Sequence, residues 1–354
     1  MLSKPITVLI LLLLYFSIPK FDLFFVPGSV TGIRIQDLIC LILFLILFEY
    51  RFNTKIFLIF LVLVLHLFYS SITWGNYTSI YGFLRLIEYF FVAKGIVLIV
   101  EKGYWNTFFN IIVAYIFIFS VLQYLTIMPN FDPGRGIIYS KQFSGPFGTP
   151  AELTYFIIPF LYLNYYINKF GIIKLLICSL VLLNGVKAGI LGYTILVGQY
   201  IRLNKSIFFL LPFLSLAIFI TINEYLFIFL EFIKTIFTDG IVQNRVSEQS
   251  LNLRVNKWET SISQLYHNPL AIFFGFGVYS YTQAMDGGIL KFLFEFGLIA
   301  FGYILYIIYK ESKLFFLIVL AISLLFDAHM SSVVMPVLIS TYLIINKRLE
   351  YIKS

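Results

Sequence analysis

The feature that most constrains this chain is its series of long apolar runs. Ile56–Phe68 is one, interrupted only by His66. A transmembrane strand would instead alternate apolar and polar residues over about ten positions. A bilayer core about 30 Å thick takes about 20 apolar residues per helix. The chain is 354 residues long, 60% hydrophobic and 12% charged. One soluble core could not hide that much apolar surface, and soluble domains carry about 25% charged residues. The sequence therefore predicts an all-α polytopic membrane protein with about twelve helices, forming a single transmembrane domain over 1–354. The expected spans are 5–19, 35–49, 56–73, 80–100, 105–127, 150–168, 171–185, 188–201, 206–223, 288–309, 314–327 and 332–346. Residues 171–201 could also form a broken or re-entrant pair around Asn184-Gly185.

Lys4 ahead of Ile6–Phe16 has the look of a signal peptide, yet Ser17-Ile18-Pro19-Lys20 offers no small-x-small cleavage site. A retained first span is expected. Cys40 and Cys178 sit in separate apolar runs, with no CxxC spacing, and read as packing residues.

Basic residues set the orientation. With both termini cytoplasmic, the inner segments hold Lys4, Arg51, Lys55, Lys102, Lys169, Lys174, Arg202, Lys205, Lys310, Lys313, Lys347, Arg348 and Lys353. The short outer loops at 74–79 and 328–331 have no Lys or Arg. The net charge of +8 is thus mostly an orientation signal, and no nucleic-acid partner is called for.

Two outer segments are too long to be simple turns. Residues 128–149 are rich in Pro and Gly and contain Arg135 and Lys141. Residues 224–287 form the longest polar stretch, and loops of that length usually serve a function. Within it, Leu251, Val255, Trp258, Ile262, Leu265 and Tyr266 recur at helical spacing, with Arg254, Lys257 and Ser261 on an adjoining stripe. The pattern predicts an amphipathic helix over about 251–266, ended by His267-Asn268-Pro269. Lying on the membrane surface with snorkelling basic residues would explain it without any ligand.

Charged residues inside spans are costly and tend to pair or to line cavities. Arg85 and Glu88 stand three apart and can pair on one helix face. Lys187 follows Asn184-Gly185-Val186 at a helix break, where an anion site is the better explanation. Asp286 precedes a span that carries Lys291 and Glu295 at i, i+4; a helix-start Asp and a local ion pair account for these. His66 reads as a satisfied core residue, and His329 shares a short outer turn with Asp327. Arg85, Arg135, Lys141, Lys187, Arg245, Arg254 and Lys257 all fall on the outer side, against the orientation rule. A polyanionic ligand at the outer leaflet would retain them there, and a lipid pyrophosphate fits.

Three stretches carry a resemblance. Phe143-Ser-Gly-Pro-Phe-Gly-Thr-Pro-Ala-Glu-Leu-Thr154 leads into a span. Leu183-Asn-Gly-Val-Lys-Ala-Gly189 lies near mid-chain. Arg254-Val-Asn-Lys-Trp258, His267-Asn-Pro-Leu270, Gly275-Phe-Gly277, Asp286-Gly-Gly-Ile-Leu290 and Phe296-Gly-Leu-Ile299 follow in order. Together they resemble the O-antigen polymerase family, within the polymerase and ligase superfamily, over about residues 140–300. Lys187 stands where that family usually has Arg, and Asp286 where its ligases tend to have His, which favours polymerase over ligase.

The resemblance implies a metal-independent membrane glycosyltransferase of the GT-C type in the bacterial inner membrane. It would polymerise undecaprenyl-pyrophosphate-linked repeat units at the periplasmic face, with no cofactor. Its partners would be the lipid-linked glycan donor and acceptor, membrane lipid, and a protein that regulates chain length. The leaving pyrophosphate gains charge and needs fixed cations. Arg254 and Lys187 are the first candidates, then Arg245 and Arg85. The acceptor hydroxyl needs a base, with Asp286 first, then Glu152 and His329. The sequence is compatible with this chemistry, having no Asp-x-Asp, P-loop or His cluster. A lipid-linked oligosaccharide flippase also has about twelve spans and cationic residues, but would be expected to have short external loops. An O-antigen ligase is the alternative within the enzyme class.

Overall fold

A computed structural model describes residues 3–18, 22–25, 32–48, 54–75, 79–132, 136–138, 144–147, 149–168, 260–277, 288–323 and 331–353. These residues are mostly helical. Helix α1 (Lys4–Ser17) is started by a proline in its first turn, where no helical N–H partner is lost. Strands β1 (Asp22–Phe25) and β2 (Gly32–Arg34) pair antiparallel and lead into α2 (Ile35–Leu47). Next come α3 (Thr54–Trp74), α4 (Ser79–Glu101) and α5 (Trp105–Tyr124). Strands β3 (Asn130–Asp132) and β4 (Gly136–Ile138) form a second antiparallel pair before α6 (Pro150–Asn168). Residues 260–267 are helical and are followed by α7 (Pro269–Phe274), α8 (Gly288–Glu311), α9 (Lys313–Ser323) and α10 (Val334–Lys353).

The expected spans at 5–19, 35–49, 56–73, 80–100, 105–127, 150–168, 314–327 and 332–346 correspond to helices with ends moved by up to seven residues. Those at 171–185, 188–201 and 206–223 lie outside the described residues. The described residues are mostly helical, as an all-α chain requires, with two features that the sequence did not suggest. Two short antiparallel hairpins, β1–β2 and β3–β4, stand between helices. The span at 288–309 is not one continuous helix: Gly297 has φ 76° and ψ 172°, which breaks α8.

Helices α5 and α8 are long and apolar enough to cross a membrane, judged by length and composition. Their outward faces carry Ile111, Ile118, Ile299, Tyr303 and Tyr306, all exposed, and on α3 Ile72 is 81% exposed. Apolar surface on this scale is unfavourable in water and is compatible with lipid.

The inward faces interlock through aromatic rings. Phe16 of α1 meets Phe156 of α6 at 5.4 Å between centroids. Phe160 stacks on Phe109 at 4.9 Å and lies tilted against Trp105 at 5.4 Å. Where α4 crosses α1, Gly95 lets Val8 and Leu12 approach so closely that a Cβ would stand 3.3 Å from each.

Side-chain bonds fix the polarity of these helices. Trp105 Nε1, at the start of α5, donates to Asn164 Oδ1 near the end of α6 at 3.0 Å, so the two run antiparallel. Lys347 of α10 pairs with Glu101 at the end of α4 at 2.6 Å. Ser331, just ahead of α10, meets Glu152 in the first turn of α6. Tyr15, near the end of α1, donates to the Ser332 carbonyl at 2.6 Å. One end of the bundle therefore gathers the end of α1 and the starts of α6 and α10. The opposite end gathers Glu101, Asn106, Asn168 and Lys347.

Candidate functional site

The first of these ends holds the most concentrated buried polar chemistry among the described residues. It begins with a local signal. Thr149-Pro-Ala-Glu152 is a helix start: Thr149 Oγ1 accepts the Glu152 N–H at 3.1 Å, and Pro150 opens the first turn. Glu152 is 8% exposed, and its Oε1 accepts the Ser331 hydroxyl at 2.5 Å. Ser331 Oγ also accepts the N–H groups of Val333 and Val334, at 3.4 and 3.2 Å, and so caps α10. The first turns of two helices thus meet at one carboxylate, and helix N-termini favour negative charge.

The loop ahead of Glu152 is pinned by one side chain. Gln123, wholly buried near the end of α5, donates through Nε2 to the carbonyls of Pro129 and Gly145, both at 3.1 Å. Its Oε1 accepts the N–H of Ser144 at 3.0 Å and of Gly145 at 2.8 Å. Four bonds saturate the amide. Gly145 takes φ 60°, and Phe147 turns inward onto Phe156 at 4.9 Å.

Arg85 lies 6% exposed in the first half of α4. It pairs with Glu88 at 3.0 Å, as the sequence suggested, and with Asp37 of α2, which the sequence did not suggest. Asp37 Oδ2 also accepts the Arg34 N–H at 2.7 Å at the helix start. Two carboxylates already engage this guanidinium, so a pyrophosphate would have to compete with both. That weakens Arg85 as a cation for a leaving group and supports the structural ion pair.

No protein-family model, curated protein or solved structure matches the chain. Of the other candidates, Asp286, His329, Arg254, Lys187 and Arg245 lie outside the described residues. Among the described residues no group of three or more His, Cys, Asp or Glu is placed to hold a metal ion.

A second built feature joins two of the stretches that carry the resemblance. The Phe276 N–H donates to the Phe294 carbonyl, and the Gly277 N–H to that of Glu295, both at 2.9 Å. A Cβ on Gly275 would stand 2.3 Å from the Glu295 oxygen, and one on Gly297 2.3 Å from the Phe273 oxygen. Only glycine fits at either position. His66 of α3 closes the junction: its Nε2 donates to the Phe274 carbonyl at 2.6 Å, and its ring stacks on Phe296 at 5.6 Å. Lys291 and Glu295 are both buried on α8.

The expected amphipathic helix at 251–266 is helical where it is described, and it ends at His267 as expected. Its faces differ from the expectation. Ser261 and Leu265 are buried, while Ile262 and Tyr266 are exposed. Leu265 packs with Ala271 and Phe294, so the stripe divides between protein and surroundings.

Sequence reasoning missed Gln123, Ser331 and Asp37 as members of this end. Gln123 had a usable signal, being a lone amide near the end of an apolar run. Ser331 and Asp37 had none beyond the helix-start preference of Ser and Asp.

Proposed function

We propose that the chain polymerises undecaprenyl-pyrophosphate-linked oligosaccharide repeat units into O-antigen or a similar surface polysaccharide. In this reading it spans a bacterial inner membrane with about twelve helices in a GT-C-type arrangement. Both termini lie in the cytoplasm, and the Glu152–Ser331 end faces the periplasm. The bundle polarity supports that placement, since the ends of α4 and α10, with Lys102 and Lys347, sit together at the opposite end, where the orientation rule wants Lys and Arg.

The observation that carries the proposal is the buried Glu152 carboxylate at the meeting of two helix starts, directly behind the loop whose sequence bears the resemblance. In the reaction, a carboxylate takes the proton of an acceptor hydroxyl. The oxygen bonds to the anomeric carbon of the donor glycan. The bond from that carbon to pyrophosphate breaks, and undecaprenyl pyrophosphate leaves with the electron pair. Glu152 is the described candidate for the base, beside Asp286 and His329. Arg254, Lys187 and Arg245 are the cations proposed for the leaving group, with Arg85 behind them for the reason given above.

The test is a gel of surface polysaccharide from cells lacking the gene, with and without a plasmid copy. The expected result is lipid A–core bearing a single repeat unit, with a ladder restored by the plasmid. Bare core in the deletion strain would overturn the proposal and point to flippase or ligase.

A further inference from the structure

We propose that Ser331 is a positioning residue for Glu152, an inference that rests on the polymerase reading. Thr149-Pro-Ala-Glu152 has the form of a capping box, in which the glutamate ordinarily turns back toward its own helix start. Such a carboxylate needs no partner elsewhere. Here Glu152 has one that is 179 residues away in sequence and belongs to a different helix.

The direction of that bond is fixed by what else Ser331 does. Its oxygen accepts two backbone N–H groups from the first turn of α10, at 3.2 and 3.4 Å. With the acceptor sites of the oxygen turned to α10, the hydroxyl proton points out toward Glu152 Oε1. The separation of 2.5 Å is at the short end for a hydroxyl donating to a carboxylate, about 2.5–2.7 Å. Both residues are buried, at 5% and 8% exposure, so water competes weakly for either group.

Tyr15 steadies the same turn, donating to the Ser332 carbonyl at 2.6 Å. The Ser331 backbone carbonyl meanwhile accepts the Met335 N–H at 3.1 Å, inside α10. Ser331 is thus held from three sides and in turn holds one oxygen of Glu152. Its role is to keep the carboxylate in one orientation, so that proton abstraction from the acceptor hydroxyl starts from a fixed geometry.

The experiment uses the full-length protein in nanodiscs, with lipid-linked repeat units extracted from cells lacking this gene. The variants are Ser331→Ala, Ser331→Gly, Ser331→Thr and Glu152→Gln. Glycine is nearly as good as serine at a helix start, so Ser331→Gly removes the hydroxyl, and with it the two capping bonds, at little cost to the helix itself. Both hydroxyl-free variants are expected to lower kcat by roughly tenfold or more, with KM within about twofold, because a hydrogen bond to a charged group is lost. Ser331→Thr, which keeps the hydroxyl, is expected to restore most of the rate. Wild-type kcat in Ser331→Gly, beside an inactive Glu152→Gln, overturns the positioning role and leaves Glu152 as the base. Full activity of Glu152→Gln overturns both. Failure of the wild-type protein to elongate the extracted units overturns the polymerase reading itself, and this inference with it.

Discussion

Two regions of this molecule are held together in opposite ways. Around α1, α2, α4, α5, α6 and α10, contact runs through side chains: ring contacts from Phe16 through Phe156 to Phe160, the Arg85 ion network, the saturated Gln123 amide and the Glu152–Ser331 bond. At the α7–α8 junction, backbone meets backbone, and glycine is used for what it lacks. Side chains can give way by changing rotamer, whereas main chain at van der Waals contact cannot. The first region should therefore tolerate many single changes at moderate cost. The second should be nearly intolerant at two positions and indifferent one turn away.

The largest expected effect is at Gly297. Its φ of 76° with ψ of 172° falls where other residues are almost never found, a conformation that costs about 1–3 kcal/mol for them. An added Cβ would also stand 2.3 Å from the Phe273 oxygen and 2.5 Å from the Phe274 nitrogen. Strain and clash together place Gly297→Ala above about 4 kcal/mol, among the exceptional substitutions. Gly275→Ala faces the same geometry from the other strand of the junction, with φ 73° and ψ 173°. Loss of monodisperse protein on size exclusion in detergent is the expected readout. A Gly297→Ala protein that elutes and melts like wild type would show that the two backbones do not meet as described.

Next in size is Arg85→Ala, in the side-chain region. It would strand Asp37 and Glu88 inside the bundle, and breaking a buried ion pair costs about 3–5 kcal/mol. The double variant Arg85→Ala with Asp37→Asn should recover part of that loss, because one orphaned charge is gone. Thermal melts of the two proteins in the same detergent decide it. Unchanged stability in the single variant, together with lost polymer, would instead make Arg85 a cation for the leaving group.

The same contrast explains what could be read from sequence. The Arg85–Glu88 pair was visible because both lie on one helix face, three residues apart. Asp37 was not, since no periodicity links it to a residue 48 positions away. The start of α6 was legible from Thr149-Pro150 and its membership of a motif, but its Ser331 partner depends on how α10 packs beside it. Gly275-Phe-Gly277 and Phe296-Gly-Leu-Ile299 were noticed as pieces of a resemblance. That they touch, and that Gly297 breaks its span, needed three dimensions, because an apolar run reads as a continuous helix whether or not one glycine inside it adopts positive φ. The division of 260–267 into a buried Ser261–Leu265 line and an exposed Ile262–Tyr266 line was hidden likewise, because hydropathy cannot tell lipid from protein as the destination of an apolar side chain.

The smallest expected effect sharpens the comparison most, because it lies on the same helix as the largest. Gly302 is five residues beyond Gly297, exposed, with helical backbone and nothing within 4 Å of an added Cβ. Helix propensity alone then decides, and Ala is better than Gly by about 0.5–1 kcal/mol. Gly302→Ala should melt at or slightly above the wild-type temperature and, on the proposed polymerase reading, should elongate glycan normally. A clear destabilisation would mean that something packs against this face closely enough to need glycine, as small residues do where membrane helices approach one another. The special status of Gly297 would then belong to the whole helix. A neutral result confines it to the one point where α8 meets the backbone after α7.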